Sequence, residues 1–495
     1  MITENESVRL IFGLKLRSLR LQKNLSYQQL SEESKITISY LHDIENGKKY
    51  PKADKILTLA KALGVDYDYL VSLSGDKKIQ PLIDIISSEF INVIPWEHFG
   101  IAPATLLEIF TNTPDKVTAF ITTLVKISRA FHLTKDNFYF TALQSFQDLH
   151  YNYFEKFENA ANRWREESKL SDAIPITTEK LESILQKNYS IQIDRKKMGH
   201  SAVLNRLRSY YSPTKKTFYI NKHLTNAQEN FLLAREIAFQ YLELNPRPLE
   251  TIVQHSKSFD LLLNNLFASY FAAAILIPEG SIAEDFKQIS STSTWNGQAW
   301  LDILDKYNIT TEMFIQRLTS ILPHHFGINQ LFFLRMYGSD KNGFDISKEL
   351  HLSQLHNPHA NLVNEHYCRR WGAITAIQNQ QALPEKKKYK DLHIDIQISH
   401  YWQTQNRYLC ITISKPPIDK KSENSGSVTL GLLIDGNLMK LMNFLNDPNI
   451  INKTVHTTCE RCSIADCKER VSEPIQIQKY AKELEIKKAI ESLDK

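Results

Sequence analysis

The chain has 495 residues, of which 42% are hydrophobic and 23% charged, with a formal net charge of +5. That length exceeds what one hydrophobic core supports, so roughly two to four domains are expected, and the composition excludes the disordered and collagen-like classes. Charged residues interrupt the apolar ones from Glu6 onwards, so the sequence predicts neither a membrane span nor a secretion signal. A cytoplasmic protein is therefore expected.

The basic excess is concentrated near the beginning of the chain. Residues 9–55 contain ten Lys or Arg against five Asp or Glu. Neutralising phosphates supplies the sequence-independent part of affinity for DNA. The charge pattern therefore favours a small nucleic-acid-binding domain at residues 1–75.

Helical spacing of apolar residues predicts five helices in this domain, at 8–23, 26–34, 38–46, 53–63 and 67–71. Ser26 and Thr37 are placed to cap the second and third helices, and Gly47 and Gly64 to end the third and fourth. Two short helices therefore meet at a tight turn.

The segment LSYQQLSEESKITISYLHDIENGKKYPKADKILTLAKALGV resembles the Cro/C1-type, or XRE-family, helix-turn-helix. The resemblance implies that helix 37–46 enters the major groove of operator DNA while the preceding helix crosses the phosphates. Base or backbone contacts are expected from Gln28, Thr37, Ser39, Tyr40 and His42, and phosphate contacts from Lys48, Lys49 and Lys52.

The turn of this motif departs from the family pattern at one position. Lys35 stands where the family usually has Gly. A left-handed backbone at a non-glycine residue costs on the order of 1 kcal/mol, which the motif tolerates.

Residues 76–174 are predicted to be a helical linker and dimerisation region, because apolar residues keep helical spacing through it. Its aromatic stretch, NFYFTALQSFQDLHYNYFEKFENAANRWREE, is interpreted as a packing or dimerisation surface rather than a ligand site. A homodimer is expected because two-fold operators require a two-fold protein.

Residues 175–325 contain NFLLAREIAFQYLELN and LFASYFAAAILIPEG, which resemble the paired helices of the ImmA/IrrE metallopeptidase-like family. Such zincins need two His at i and i+4, a Glu beside the first, and a third ligand from the following helix. Those four positions are Arg235, Glu236, Phe239 and Asn265 here, which predicts a fold without zinc ligands and without protease chemistry.

Two interpretations of the degenerate positions remain open from sequence alone. Arg235 and Glu236 could bind an anionic ligand, or each other, in the cleft where an active zincin holds its metal. Alternatively they are a solvent-facing pair on an amphipathic helix, which is the interpretation favoured for Glu236.

The last third of the chain is predicted to be α+β, with a domain at 326–475 and a charged helix or tail at 476–495. A helix and a strand precede a turn at 341–343, and further strands are expected at 394–399, 408–414 and 427–433. The whole chain is thus expected to be multidomain, with an all-α head and linker followed by two α+β domains.

Cysteines cluster near the end of the chain. Cys459, Cys462 and Cys467 suit structural zinc, with Cys368 the favoured fourth ligand, His456 a weaker one and Cys410 a strand-buried residue. Reduced cysteines packed near the surface are an alternative. A redox sensor is another, since Arg461, Lys468 and Arg470 are expected to lower thiol pKa values.

Head, ImmA/IrrE-like middle and cysteine pattern together resemble the short-chain fatty acyl-CoA-responsive regulators. The resemblance implies a transcription regulator with an acyl-CoA effector, controlling carbon or fatty-acid metabolism. The alternatives are an ImmA-type metalloprotease that cleaves a repressor, and a phage- or toxin-linked repressor without a metabolite ligand.

Overall fold

In a computed structural model of the chain, the described residues are 4–76, 79–80, 83, 96–100, 123, 134–201, 203–204, 207–250, 258–352, 365–388, 391–417 and 424–493. They divide into two compact units: residues 1–146 with 254–263, and residues 147–253 with 264–495. Much of the predicted linker at 76–174 lies outside the described residues.

The first unit begins with the five predicted helices. They are α1 (Glu4–Gln22), α2 (Tyr27–Ser34), α3 (Ile38–Glu45), α4 (Ala53–Leu63) and α5 (Tyr67–Val71). Their apolar faces share one core that includes Leu16, Leu41 and Leu59. A turn of 3₁₀ helix (Trp96–Phe99) and α6 (Lys135–Leu149) follow among the described residues.

Local chemistry explains where these helices begin and end. The Ser26 hydroxyl accepts from the Gln29 amide and the Gln29 side chain accepts from the Ser26 amide, which is a capping box. Thr37 caps α3 by accepting from the Tyr40 amide. Lys35 and Gly64 end α2 and α4 in the left-handed conformation, with φ of 54° and 58°. The strained backbone expected at Lys35 is confirmed.

A buried ion pair ties α1 to α3. The Arg20 guanidinium donates to both carboxylate oxygens of Glu45, at 2.7 and 2.8 Å, and the Tyr27 hydroxyl donates to Glu45 at 2.7 Å. The Arg20 guanidinium also lies over the Tyr27 ring, 4.1 Å from its centroid. Because Glu45 is 1% exposed, this cluster fixes α3 relative to the rest of the head.

The second unit contains most of the remaining helices. They are α7 (Glu155–Glu167), α8 (Thr178–Tyr189), α9 (Asn226–Tyr241), α10 (Phe259–Leu276), α11 (Glu279–Ser290), α12 (Gly297–Tyr307), α13 (Thr311–Phe326), α14 (Gly372–Ala382), α15 (Glu385–Lys388), α16 (Gly436–Leu441) and α17 (Ile475–Leu493). The α10 helix starts in the first unit and ends in the second.

The aromatic stretch of the predicted linker is partly confirmed as a packing surface. Phe154 and Phe157 are buried and make ring contacts with Phe267 and Tyr270 inside the second unit. Trp164 is 2% exposed in the same unit. These residues therefore contribute to the core of one chain.

A small sheet stands beside the α8–α9 pair. Its strands are β1 (Gln192–Asp194), β2 (Ser209–Ser212) and β3 (Thr217–Ile220), in the order β1-β3-β2. β1 pairs with β3 in parallel, and β2 pairs with β3 antiparallel.

One described helix, α10, is long and apolar enough to span a bilayer by length and composition, with a mean hydropathy of 1.5. Its buried residues Ala268, Phe271 and Ile275 belong instead to the main core of the second unit, together with Leu233 and Ile237 of α9. The helix is therefore accounted for as a core helix.

A six-stranded sheet completes the second unit. Its strands are β4 (Leu331–Ser339), β5 (Gly343–His351), β6 (His393–Tyr401), β7 (Arg407–Lys415), β8 (Ser425–Leu433) and β9 (Ile451–Val455), in the order β5-β4-β8-β7-β6-β9. β6 and β9 are parallel and the other pairs antiparallel. The predicted strands and the turn at 341–343 are confirmed.

The two faces of this sheet pack differently because side chains alternate along each strand. One face, with Ile411 and Leu430, belongs to the same core as α9, α10 and α13. The other face, with Tyr408 and Cys410, packs on α14. The α+β multidomain class is confirmed, and the predicted boundary at 325/326 lies within a continuous core.

Candidate functional site

The third helix of the head presents polar side chains at its N-terminal end. Thr37 is the exposed N-cap, and Ser39 and His42 are exposed along α3. The His42 carbonyl accepts from the Asn46 side chain at 2.9 Å, which closes the end of the helix. The structure therefore brings these sequence-predicted residues to the accessible side of the helix expected to enter the groove.

Tyr40 differs from its neighbours because it is half-buried and packs partly against the head core. The ammonium of Lys49 lies 5.5 Å from its ring centroid. Lys49 also pairs with Asp43 at 2.8 Å, and this pair raises the pKa of Lys49 and lowers that of Asp43. Lys49 is therefore already paired with a carboxylate, which sequence alone did not predict.

The other predicted contact residues are exposed. Gln28 lies in the first turn of α2, where its amide donates to Glu32 at 3.3 Å. Lys48 follows α3, and Lys52 precedes α4. Their placement on the loop after α3 fits the phosphate-contacting role assigned to them.

Sequence reasoning missed Ile38. It is the first residue of α3, and 49% of it is exposed although it is a large apolar side chain. Apolar side chains at this place can contact the methyl group of thymine in the major groove. Helical spacing could not reveal this exposure, because Ile38 precedes Leu41 by three residues, as Leu41 precedes Ile44, and residues three apart share a face.

A second site consists of the degenerate zincin positions on α9 and α10. The Arg235 guanidinium donates to the Asn265 side-chain oxygen at 2.5 Å and lies 5.2 Å from the Phe239 ring centroid. The structure thus brings the first, second and third ligand positions of the expected zincin together. They form a hydrogen-bonded and aromatic contact in place of a metal site.

Glu236 corrects the sequence interpretation of a solvent-facing residue. It is 2% exposed, and its carboxylate accepts from both terminal nitrogens of Arg247, at 2.8 and 2.5 Å. The Arg247 guanidinium also lies 4.0 Å from the Phe239 ring centroid. Arg247 was not identified from sequence, because it lies outside both helices and only the fold brings it to Glu236.

The chemistry of this cluster excludes zinc at the zincin positions. Burial lowers the pKa of Arg235 to about 10, with a further contribution from Arg247, so the guanidinium stays protonated at neutral pH and offers no lone pair. The Phe239 ring offers none either. Among the residues that the structure describes, no group of three or more His, Cys, Asp or Glu side chains is arranged to hold a metal ion.

The cysteine cluster is built around the β9 end of the large sheet. Cys368, Cys459 and Cys462 are buried, and Cys467 is half-buried. Two backbone hydrogen bonds hold the segment that contains Cys368 against the segment that contains Cys459. The Cys368 amide donates to the Thr457 carbonyl, and the Cys459 amide donates to the His366 carbonyl. Cys410 is buried in strand β7, as the sequence predicts, and it belongs to the same apolar cluster as Cys368.

Two of the thiols, those of Cys368 and Cys467, have raised pKa values. Burial raises the pKa of Cys368 to about 11, and the pKa of Cys467 is also raised by burial. Arg470 donates instead to the carbonyls of Cys459, Cys462 and Ile464, and Arg461 pairs with Glu365. The expectation that neighbouring cations lower thiol pKa values is wrong for Cys368 and Cys467.

Comparison with protein families identifies two regions of the chain. Residues 13–75 match a helix-turn-helix domain family, and residues 186–319 match the IrrE N-terminal-like domain family. The first range covers α2 to α5 with the second half of α1. The second covers the end of α8, the three-stranded sheet, α9 to α12 and the first half of α13.

Known relatives cover different parts of the chain. The control protein C.BamHI of Bacillus amyloliquefaciens is 42% identical over 60 residues, which is 12% of this chain and 74% of that protein. The HTH-type transcriptional regulator RamB of Mycobacterium tuberculosis is 22% identical over 303 residues, 56% of this chain. The chain spans about 60% of the length of RamB.

A solved structure of a Mycobacterium tuberculosis transcriptional regulator also aligns with the chain. It is 17% identical, covers 67% of this chain and 93% of its own, and gives a TM-score of 0.47.

Proposed function

The chain belongs, through its head, to the XRE-type helix-turn-helix family and also carries an IrrE-like domain, and we propose that it is a transcription regulator that binds operator DNA. The observation that carries the proposal is the exposed N-terminal end of α3. There Thr37, Ile38 and Ser39 are all accessible, while Arg20 and Glu45 hold the helix from behind.

Two kinds of contact are expected at this surface. Ser39 and Tyr40 contact bases and therefore contribute to sequence discrimination, whereas Lys48 contacts phosphate and contributes equally on every sequence. The operator is read by a homodimer, because half-sites in such operators lie about one helical turn apart.

The test measures binding of the full chain to its own promoter DNA and to unrelated DNA over a range of salt concentrations. Ser39→Ala with Tyr40→Ala should weaken promoter binding more than unrelated binding. Lys48→Ala should weaken both and reduce the salt slope by about one. Lys187→Ala, an exposed lysine at the end of α8, is the matched control. Equal losses of the double variant on every DNA would contradict the assignment of α3.

We also propose that the IrrE-like domain is not a protease. The support is chemical, since Arg235, Phe239 and Asn265 occupy the ligand positions and Arg247 neutralises Glu236. Chelator-sensitive cleavage of a repressor by the purified chain would contradict this proposal and favour the ImmA-type protease.

For the effector, we propose a short-chain acyl-CoA acting on a cytoplasmic regulator of carbon or fatty-acid metabolism, which rests on the family resemblance. Promoter binding is titrated at fixed salt with and without a panel of short acyl-CoA esters. A change in affinity with one ester supports the proposal. Binding that no ester alters would refute this effector and favour the repressor without a metabolite ligand.

We propose structural zinc for Cys368, Cys459, Cys462 and Cys467, whose thiolates would supply a four-sulfur ligand set. The proximity of Cys368 to Cys459 and Cys462, which act on its pKa, supports it. Because no three such side chains among the described residues are already gathered for a metal, zinc would have to draw these thiols together. Metal analysis of the purified chain tests the proposal. One zinc per chain that is lost in Cys462→Ser supports it, and iron or no metal contradicts it.

A further inference from the structure

The small sheet of the second unit lies in a segment with a second concentration of positive charge. Residues 195–222, which include β2 and β3, contain eight Lys or Arg and no Asp or Glu. Residues 9–55 of the head contain ten basic residues against five acidic ones. The charge of the small-sheet segment is therefore more one-sided than the charge of the head.

Five lysines of this segment lie at the two ends of the small sheet. Two form part of the turn between β2 and β3, and three follow β1 and β3 at the opposite end. All five are exposed: Lys196, Lys197, Lys215, Lys216 and Lys222. The second group is drawn together in space, because a Cβ on Gly199 would lie 3.7 Å from the Lys222 ammonium.

Two tyrosines lie between these groups on the solvent side of the sheet. Tyr210 of β2 pairs with Tyr219 of β3, and their ring centroids are 6.2 Å apart. The Lys197 ammonium lies 6.0 Å from the Tyr219 centroid. Tyr211 and Phe218 point to the opposite side and are buried, as the alternation of side chains along a strand requires. We name the solvent side, with its five lysines and two tyrosines, the lysine face.

Most of the positive charge on the lysine face is not neutralised within the chain. Lys197 pairs with Asp194 at 3.8 Å. Among the carboxylates that the structure describes, none pairs with the other four lysines. Glu250 borders the face as the bridge partner of Tyr210. Five lysines against these two carboxylates leave a net charge of +3.

The spacing of the lysines suits an extended anion. Lys216 precedes β3 and Lys222 lies six residues further on, which is about 20 Å at roughly 3.3 Å per residue. One strand of duplex DNA carries a phosphate about every 3.4 Å along its axis, so about six phosphates fall within that length. A polyanion can therefore reach both groups of lysines at once, whereas a single small anion reaches one.

We propose that the lysine face binds the phosphate backbone of duplex DNA flanking the operator. Ammonium groups neutralise phosphates and tyrosine hydroxyls donate to them, and neither contact reads the bases. Single-stranded nucleic acid fits less well, because it stacks its bases on aromatic rings. The Tyr219 ring is half-buried and already in contact with Tyr210 and Lys197. The inference deepens the proposed function and rests on it for the operator.

The test compares the unmodified full chain with a variant in which the four lysines without an ion pair are neutral: Lys196→Gln, Lys215→Gln, Lys216→Gln and Lys222→Gln. On a long fragment of its own promoter DNA the variant should bind about tenfold more weakly or worse, and its salt slope should fall by about two to four, since each phosphate contact contributes about 0.9. Its hydroxyl-radical footprint should be shorter at the edges with the centre unchanged. On a fragment trimmed to that shorter footprint, the two proteins should bind equally.

A matched control removes the same number of charges from α17, whose four lysines are exposed. It carries Lys479→Gln, Lys482→Gln, Lys487→Gln and Lys488→Gln, and its effect on the long fragment should stay below about twofold, because distant charges are screened by salt. Tyr210→Phe with Tyr219→Phe removes only the two hydroxyls and should weaken binding to the long fragment alone. Unchanged urea midpoints by tryptophan fluorescence show that the variants are folded.

Several results would overturn the inference. The lysine-face variant could bind the long fragment as tightly as the unmodified chain, or lose no more affinity than the α17 control, which would leave only an effect of net charge. Equal losses on the long and trimmed fragments would also contradict a contact with flanking DNA. A loss on single-stranded DNA without a loss on duplex DNA would assign the face to single strands instead.

The two proposals can fail separately. If Ser39→Ala with Tyr40→Ala weakens binding to every DNA equally while the lysine-face variant still shortens the footprint, the assignment of α3 is refuted and the lysine face stands. If the head variant loses promoter binding and the lysine-face variant binds normally, the lysine face is refuted and the regulator stands.

Discussion

Replacing Glu45 with Gln should destabilise the head far more than its small change in volume suggests. Glu45 is 1% exposed and takes two hydrogen bonds from Arg20 and one from Tyr27. Removing one partner of a buried pair leaves an uncompensated charge and costs about 3–5 kcal/mol. Small domains have roughly 5–15 kcal/mol of stability in total, so this loss is a large fraction of the stability of the head.

Two further variants separate the contributions of the hydrogen bond and of the charges to this loss of stability. Tyr27→Phe removes one hydrogen bond to the buried carboxylate and should cost about 1–2 kcal/mol. Arg20→Met with Glu45→Met removes both charges and should recover most of the loss, because an apolar pair of similar volume is often neutral or stabilising.

The composition of the chain provides a clean assay. The six tryptophans all lie beyond the head, the first at Trp96, so tryptophan fluorescence reports on the remainder of the chain. Hydrogen exchange of peptides from residues 10–63 reports on the head. In Glu45→Gln, exchange in these peptides should rise by a factor of about 100 or more, since each 1.4 kcal/mol is about tenfold, while the fluorescence melting curve is unchanged.

The refuting results are specific. A Glu45→Gln head within 1 kcal/mol of the unmodified head would show that the Arg20 charge is satisfied in another way. An Arg20→Met, Glu45→Met variant that is no better than Glu45→Gln would show that the cost comes from packing and not from charge. Promoter binding should follow the same order, because α3 carries Glu45.

Three further substitutions test the second unit, each by urea denaturation followed by tryptophan fluorescence. Arg247→Met should cost about 3 kcal/mol because it leaves the buried Glu236 carboxylate unpaired, and an unchanged midpoint would refute the ion pair. Glu312, at the start of α13, pairs with Arg335, Lys348 and Lys415 at 2.9, 3.6 and 3.9 Å, and these cations hold its pKa at about 2 against the effect of burial. Because that pKa is below the unfolded value, the stabilising effect of Glu312 is present above about pH 4.5 and is lost as the pH falls towards 2. The stability difference between the unmodified chain and Glu312→Gln should therefore be larger at pH 7 than at pH 3, and a difference independent of pH would contradict this. Gly338→Ala should cost at least about 2 kcal/mol, because φ is 149° and the new Cβ would clash with the Gly343 carbonyl oxygen. The control Gly280→Ala, whose new Cβ has no described atom within 4 Å, should cost less than about 1 kcal/mol.

Local chemistry let the sequence specify the head with little help from tertiary structure. Ser26 and Thr37 cap the helices that they were expected to cap, and Gly64 ends α4 as expected. These features depend on residues a few positions apart, so one segment of sequence contains the whole interaction. The same locality explains why a left-handed backbone at Lys35 follows from its place in the motif alone.

The degenerate zincin positions show where sequence reasoning ends. The sequence established that Arg235 and Phe239 cannot bind zinc, because that depends only on the atoms each side chain carries. It could not identify Arg247 as the partner of Glu236, which lies eleven residues away and beyond the end of the helix. Burial of Glu236 depends on that partner, so a residue that looked solvent-facing proved to be part of the core.

In the large sheet, too, the sequence predicted single elements but not how they pair. Alternating apolar residues predicted β6, β7 and β8 individually, whereas the order β5-β4-β8-β7-β6-β9 depends on pairings between distant segments. The ion pairs of Glu312 with Arg335, Lys348 and Lys415 exist only because that order brings these residues together. Sequence alone determined the helices of the head and the strands β4 to β8, but it did not predict β1 to β3 or β9. The tertiary structure decided which charges meet, because electrostatic interaction depends on distance in space and not on position along the chain.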